Sequence, residues 1–130
     1  MNSLRSPLRR VTGLGAAGSE AVHHWWMQRL TSIALVPLSV WFVVSLLSLP
    51  GLDRATVVTW MMQSWTVVLL VLLVLVATWH SQLGVRVVIE DYVHTTGTKT
   101  LMLVVVTFAH ALIALSAVFA ILKVAFGSAA

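Results

Sequence analysis

Long apolar runs separated by short polar segments dominate this chain. A helix that crosses a bilayer needs about 20 mostly apolar residues. Three runs reach that length, and they predict spanning helices over approximately residues 30–49, 60–88 and 100–126. The pattern therefore predicts an all-α integral membrane fold with three transmembrane helices and no internal repeat.

Turn-forming residues mark the ends of these runs. Pro50 and Gly51 end the first run, and the next span follows after a short loop at residues 50–59. The polar segment EDYVHTTGTK, residues 90–99, separates the second span from the third, and its Gly97 and threonines indicate a helix break. Both connections are too short to hold a separate soluble domain.

Residues 1–24 differ from the rest of the chain because they are basic and rich in glycine. They predict a flexible basic tail in front of a three-helix transmembrane domain at residues 25–130. The tail lacks the apolar core of a cleavable secretory signal. Its arginines and shortage of acidic residues are also compatible with an organelle transit peptide, although it shows no apolar periodicity.

The composition supports a membrane protein and excludes several kinds of chemistry. Hydrophobic residues fill 59% of the 130 positions, charged residues only 9%, and the mean hydropathy is +0.97. The chain has no cysteine, which excludes disulfides, iron–sulfur ligation and a cysteine nucleophile. The net charge of +4 comes from scattered cations without a clustered basic stripe, so we predict no nucleic-acid partner.

The positions of the cations predict the orientation of the helices. Short loops rich in lysine and arginine remain on the cytoplasmic side of a membrane. Arginines occupy the N-terminal tail, and Arg86 and Lys99 flank the second connection, whereas the first connection has only Arg54. We therefore expect the N-terminus and residues 90–99 on the cytoplasmic or matrix side, with residues 50–59 opposite.

The segment WHSQLGVRVVIEDYVH, residues 79–94, places polar groups at the end of the second apolar run. At about 100° per residue, His80, Gly84 and Asp91 fall on one helical face. A neutral imidazole there can be an axial ligand of haem iron, and a glycine one turn away leaves room for the macrocycle. The alternative is that His80 hydrogen-bonds a neighbouring helix while Gly84 allows close packing. His110 on the third span is predicted to be a packing or hydrogen-bonding histidine.

The end of the second span carries the only tyrosine, Tyr92, next to Asp91. A quinone headgroup at this depth needs hydrogen-bond donors and a proton source, which a tyrosine beside an acid can provide. The alternative is an ordinary membrane interface with solvated charges and an aromatic-belt tyrosine. Arg29, preceded by His23, is predicted at the same membrane face, where it pairs either with haem propionates or with lipid phosphates.

These features together resemble the small hydrophobic membrane-anchor subunit of succinate dehydrogenase, respiratory complex II, of the cytochrome b556 type. The similar elements are HWWMQRLTSIALVPLSVWF before and within the first span, the spacing in HSQLGVRVVIEDY, and the three-span length with a cytoplasmic N-terminus. The resemblance covers approximately residues 20–126, and HWWMQRLT is especially similar to the alphaproteobacterial and mitochondrial-ancestor branch.

For the cofactor, the resemblance implies that His80 is one axial ligand of the iron of haem b. The other ligand comes from a second cytochrome b anchor subunit, so the three helices are part of a heteromeric helix bundle. Arg29 and, less closely, His23 match positions near the haem propionates.

For the substrate, the resemblance implies that Tyr92 hydrogen-bonds a ubiquinone carbonyl and that Asp91 is the acid next to it. Trp26 is placed near the quinone pocket by its location only. The complex carries electrons from succinate to ubiquinone in the tricarboxylic acid cycle and the respiratory chain. Succinate oxidation belongs in this family to a flavoprotein subunit and an iron–sulfur subunit, so the anchor has no catalytic centre of its own.

The residues alone leave two other functions open. One is a homo-oligomeric, proton-coupled transporter that uses His80, Glu90 and Asp91, although these acids lie at a helix end and not at mid-span. The other is a structural membrane anchor without a cofactor. The expected location is the bacterial inner membrane as a multi-pass protein, with the mitochondrial inner membrane as the alternative.

Overall fold

The computed structural model describes residues 16–127, which form four α-helices and no strand. The helices are α1 (Ala16–Leu47), α2 (Arg54–Met61), α3 (Ser64–Tyr92) and α4 (Thr96–Gly127). Three segments are long and apolar enough to cross a membrane, namely Val22–Leu47, Ser64–Tyr92 and Thr96–Gly127. The predicted all-α fold with three transmembrane helices is confirmed.

Helix α3 lies between the other two long helices. Its backbone packs against both α1 and α4, whereas the backbones of α1 and α4 do not approach each other within residues 16–127. The face of α3 on which a residue lies therefore decides which helix it meets. His80 meets Thr31 of α1, and Gln82 meets Thr107 of α4.

Well-buried apolar side chains cluster where α2 packs against the long helices. They come from α2, α3 and α4, and each has at most 8% of its surface exposed: Trp60, Val67, Leu70, Ile121 and Ala125. The Trp41 indole of α1 stacks on Trp60 at 6.1 Å between ring centroids and meets Trp65 edge-on at 5.8 Å. Aromatic pairs add about 0.5–1.5 kcal/mol beyond the area that they bury. We call this part of the bundle the aromatic end.

Many other apolar side chains on the long helices face outward. Ile33 on α1 is 69% exposed, and Phe108 and Leu115 on α4 are 73% and 70% exposed. A soluble monomer rarely leaves apolar surface of this extent open to water. On membrane-spanning helices, such surfaces meet lipid tails or the helices of other subunits.

The first connection contains a short helix, α2, where the sequence pattern predicts only a loop. Asp53 caps it: the Thr56 backbone N–H donates to Asp53 Oδ2 at 3.1 Å, and the Thr56 hydroxyl donates to Oδ1 at 2.7 Å. The hydroxyl bond, followed by the backbone bond, lowers the pKa of the Asp53 carboxyl below its ordinary value. This connection is therefore an ordered cap across one end of the bundle.

The boundary of the second span also differs from the prediction. Trp60, the predicted start of the span, belongs to α2, and α3 begins at Ser64. The helix is interrupted at Gln63, whose backbone is extended with ψ at 124°. Apolar residues continue on both sides of this break, so a hydrophobicity pattern alone does not reveal it.

The second connection is shorter than the predicted segment 90–99. Helix α3 continues through Tyr92, and α4 begins at Thr96, so the interruption covers only residues 93–95. The Lys99 backbone N–H donates to the Thr95 carbonyl at 2.9 Å and closes the first turn of α4. Gly97 therefore lies inside a helix and is not the break that its residue type indicates.

At the N-terminus, α1 begins at Ala16, so residues 16–24 of the predicted tail are helical. The remainder of that tail, with Arg5, Arg9 and Arg10, lies outside the described residues. The helical segment brings His23, His24 and the tryptophans that follow onto the same continuous helix as the first span.

Candidate functional site

His80 and Thr31 form a polar contact between α3 and α1. Thr31 Oγ1 lies 2.9 Å from His80 Nδ1, although 49 residues separate the two along the chain. Thr31 is only 7% exposed, and the imidazole is half-buried. Within the described part of the chain, this is the only hydrogen bond of the His80 ring, so Nε2 has no polar partner there.

Gly84 lies one turn from His80 and also faces α1. A Cβ atom placed on Gly84 would stand 4.0 Å from Nε2 of Gln28, which is an ordinary van der Waals distance. The structure thus brings His80 and Gly84 onto one face of α3, as their spacing predicts. The space next to Gly84 is occupied on the α1 side by the Gln28 side chain.

Two further polar side chains of α1 lie on the face that contains Thr31. His24, Gln28 and Thr31 recur at helical spacing, and Gln28 faces Gly84. Nε2 of His24 and Oε1 of Gln28 are buried without a hydrogen-bond partner. The sequence pattern singles out His23, which is exposed, and does not single out His24, Gln28 or Thr31 as site residues. Their spacing of four and three residues is the signal that could reveal them.

The other site residues predicted on α1, Arg29 and His23 for the haem and Trp26 for the quinone, are exposed in this chain. Arg29 is exposed, and its guanidinium carbon lies 5.0 Å from the centroid of the Trp25 ring. Trp25 in turn stacks on Trp26 at 6.1 Å between centroids, and Trp26 is 58% exposed. In the described part of the chain, none of Arg29, His23 and Trp26 forms a hydrogen bond, ion pair or ring contact with His80.

Asp91 and Tyr92 stand at the end of α3. Tyr92 is the last residue of that helix and is 79% exposed, and Asp91 is exposed as well. With about 1.5 Å of rise per residue, they lie roughly 17–18 Å along the helix axis from His80. Their polar groups have no partner among residues 16–127, so both face outward from this chain.

The neighbouring charges at this end are paired within the chain. Arg86 Nε lies 2.9 Å from Glu90 Oε1, and Lys99 Nζ donates to the Glu90 carbonyl at 3.0 Å. An exposed ion pair of this kind contributes less than about 1 kcal/mol. The ion pair turns the Glu90 carboxylate toward Arg86. Asp91 has no such partner among the described residues.

His110 forms part of a separate polar contact, between α4 and α3. Its Nδ1 lies 2.8 Å from the Val106 carbonyl oxygen, and its Nε2 lies 3.3 Å from Ser81 Oγ. A carbonyl only accepts, so Nδ1 carries the proton and Nε2 accepts from Ser81. Both ring nitrogens are occupied, as the interpretation of His110 as a hydrogen-bonding histidine predicts.

The site offers few ligands for a metal ion. Residues 16–127 contain no group of three or more His, Cys, Asp or Glu side chains that could surround one. Of the two histidines on α3 and α4, His80 has a ring nitrogen without a partner among the described residues, whereas both nitrogens of His110 are occupied. The chain can therefore contribute one nitrogen ligand from α3.

Three apolar helices joined by polar contacts, with a half-buried histidine between two of them, define a small multi-pass membrane protein. The model of the succinate dehydrogenase/fumarate reductase transmembrane subunit family matches residues 2–121 of the 130. The chain belongs to this family, and the resemblance seen in its motifs is confirmed.

Similar chains occur in alphaproteobacteria, and each is a succinate dehydrogenase hydrophobic membrane anchor subunit. The one from Rickettsia conorii is 31% identical over 103 residues, which cover 78% of this chain and 81% of the relative. The one from Rickettsia felis is 33% identical over 90 residues, with coverages of 69% and 75%. The one from Paracoccus denitrificans is 28% identical over 123 residues, with coverages of 95% and 94%.

Proposed function

We propose that this chain is the hydrophobic membrane-anchor subunit of a succinate:ubiquinone oxidoreductase, and that it contributes half of a haem b site and part of a ubiquinone site. Membership of the family over residues 2–121 supports the subunit type. The proposal of a haem site rests on the hydrogen bonding of His80. Its Nδ1 contacts Thr31, and its Nε2 has no partner among the described residues. Ligating histidines almost always have this arrangement.

Nε2 of His80 would hold the haem iron in this proposal. A histidine of the partner cytochrome b anchor subunit would supply the second ligand. Two histidine ligands leave haem iron able to exchange a single electron reversibly without binding substrate. The exposed guanidinium of Arg29 and, less closely, His23 are the cationic groups of α1 that are available to the propionates.

Tyr92 and Asp91 form this chain's part of the ubiquinone site. The Tyr92 hydroxyl is an unpaired donor on a 79% exposed side chain, which suits a quinone carbonyl that approaches from outside the chain. Asp91 is also unpaired among the described residues, and in this proposal it passes a proton toward the reduced quinone. Trp26 is a weaker candidate, because its exposed indole lies on the outer part of α1.

The remaining walls of both sites come from other subunits. The flavoprotein and iron–sulfur subunits dock at the face where Tyr92 lies, and the second anchor subunit covers outward apolar side chains such as Phe108. The alphaproteobacterial relatives favour the bacterial inner membrane as the location. The complex then joins the tricarboxylic acid cycle to the respiratory chain.

His80→Ala in the assembled complex tests this function. The reduced-minus-oxidised spectrum of the complex, purified from its native membrane, is expected to lose the bis-histidine haem b signal, because an alanine cannot ligate iron. His110→Ala is the matched control, since it removes an intramembrane histidine whose two nitrogens are already occupied. It is expected to retain the haem.

Two results would contradict the proposal. An unchanged haem spectrum in His80→Ala would remove His80 as the ligand. A wild-type complex that contains the flavoprotein and iron–sulfur subunits but no haem would identify the chain as a cofactor-free anchor.

A further inference from the structure

We propose that Thr31 is a positioning residue for the haem: its hydroxyl oxygen accepts a hydrogen bond from His80 Nδ1–H and thereby fixes the tautomer and the orientation of the ligating ring. This inference rests on the proposed function of His80. It assigns a role to a residue of α1 that does not itself ligate iron. The 2.9 Å contact between the two side chains is its basis.

The direction of the hydrogen bond follows from the other contacts of Thr31. Its oxygen lies 2.8 Å from the Met27 carbonyl oxygen and 3.1 Å from the Gln28 carbonyl oxygen. Both carbonyls only accept, and a hydroxyl has a single proton, so that proton stays within α1. Toward His80 the oxygen can then only accept. Nδ1 must carry the proton, and Nε2 keeps the lone pair that a metal requires.

The acceptor is held rigidly. Thr31 is 7% exposed, so water does not compete for its oxygen. A β-branched side chain in a helix has few rotamers, and the bond to Met27 selects one of them. The lone pair that faces His80 is therefore fixed in direction before any ligand binds, which is the preorganisation that a metal site needs.

The bond also affects the electronic character of the ligand. A histidine that donates its second N–H to an acceptor is a more basic ligand. A more basic ligand stabilises ferric iron relative to ferrous iron. Loss of the acceptor should therefore shift the midpoint potential of the haem to more positive values, even where the iron remains bound.

Three substitutions at this position grade the strength of the acceptor. Thr31→Val keeps the branched shape without a hydroxyl, Thr31→Cys supplies a weak acceptor, and Thr31→Ser restores the hydroxyl. In the assembled complex, the midpoint potential is expected to be most positive in the valine variant, intermediate in the cysteine variant and near wild type in the serine variant. The g values of the low-spin ferric haem are expected to shift in the same order.

Thr78→Val is the matched control. The Thr78 hydroxyl also bonds the carbonyl four residues back, Val74, at 2.7 Å, but it has no second partner in the described chain. The same chemical change there should leave the potential and the g values at their wild-type values. If the valine variant at position 31 does not assemble, the serine and cysteine variants still test the order.

The outcomes separate this inference from the proposed function. If His80→Ala removes the haem while the Thr31 variants share one potential and one set of g values, the positioning role is overturned and the ligand remains. If His80→Ala keeps the haem, the proposed function fails, and the role of Thr31 fails with it.

Discussion

A histidine ring inside a bilayer is costly unless its polar atoms find partners. His110 finds both within the chain, through the Val106 carbonyl and Ser81. His80 finds one, through Thr31, and leaves the other nitrogen open. The histidines of α3 and α4 therefore differ: His110 joins two helices through both nitrogens, whereas His80 has one nitrogen without a partner among the described residues.

Tyr92→Phe is the prediction for the quinone end. It removes the hydroxyl and keeps the ring, so a quinone bound there as proposed would lose a donor, and we expect ubiquinone reduction to fall about tenfold or more. Reduction of an artificial dye by succinate should remain at its wild-type rate, because the dye takes electrons before the quinone site. The ratio of the two activities in the assembled complex is the measurement.

The control for this substitution is His94→Asn, which changes an exposed side chain on the adjacent connection. It should alter neither activity. Equal losses with both electron acceptors in Tyr92→Phe would show a defect in assembly, and two unchanged activities would remove Tyr92 from the quinone site.

At the residue scale, the sequence predicts the conspicuous groups but not their partners. His80, Asp91 and Tyr92 stand out because polar residues are rare beside an apolar run and because their spacing matches a family pattern. Thr31 does not stand out, since a threonine in a membrane helix ordinarily bonds its own backbone. Its partner lies 49 residues away, and only the packing of α1 on α3 brings the two together.

At the scale of elements, the contact between α1 and α3 sets the position of the candidate ligand. Thr31 lies opposite His80, and Gln28 lies opposite Gly84. One turn toward the N-terminus of α1 therefore matches one turn toward the C-terminus of α3. The two helices run antiparallel at this contact. A small side chain at Gly84 allows this close approach.

Gly84 provides a test of the pairing. Gly84→Ala should be tolerated, because its Cβ would meet Gln28 Nε2 at 4.0 Å. Gly84→Leu should push α1 away from α3, weaken the bond between Thr31 and His80, and destabilise the subunit by about 1–3 kcal/mol. Haem content and the thermal unfolding temperature of the purified complex are the measurements.

Gly97→Leu is the matched control, because a Cβ atom at Gly97 meets nothing within 4 Å. It introduces the same side chain on a helix that does not carry His80. If Gly84→Leu and Gly97→Leu have equal haem content and equal unfolding temperatures, then the space at Gly84 does not set the pairing of α1 with α3.

The helices themselves can be predicted, and their connections cannot. Each long helix contains an apolar run that has no other stable structure in a bilayer. The connections depend on local hydrogen bonds, such as the Asp53 cap of α2 and the first turn of α4 at Thr95. The hydrophobicity pattern does not report these hydrogen bonds. It therefore misses α2 and wrongly places a break at Gly97.

At the scale of the whole molecule, α3 is the central helix of the bundle. It contacts every other helix, while α1 and α4 remain apart in the described chain. The aromatic end is packed by the chain's own side chains, and exposed apolar side chains cover much of the remaining surface. The described part of the molecule therefore has one end packed by its own side chains and broad apolar faces that lipid or, in the proposed complex, other subunits would cover.

The orientation in the membrane can be tested with single cysteines, because the chain has none of its own. Leu52→Cys and His94→Cys lie in the two connections, and both positions are exposed. The distribution of cations predicts that a membrane-impermeant maleimide labels position 52 in intact spheroplasts and labels position 94 only after permeabilisation. The cysteine-free parent chain is the control, and the reverse labelling pattern would invert the predicted orientation.

The order of α1 and α3 along the chain has a consequence for biogenesis. Synthesis proceeds from the N-terminus at about 5–20 residues per second, so the 49 residues between Thr31 and His80 separate their appearance by roughly 2–10 s. We expect α1 to enter the membrane before α3, so that the hydroxyl of Thr31 is in place when His80 arrives. We therefore expect the chain to orient His80 by itself, so that the proposed haem half-site would form before a partner subunit supplies the second ligand.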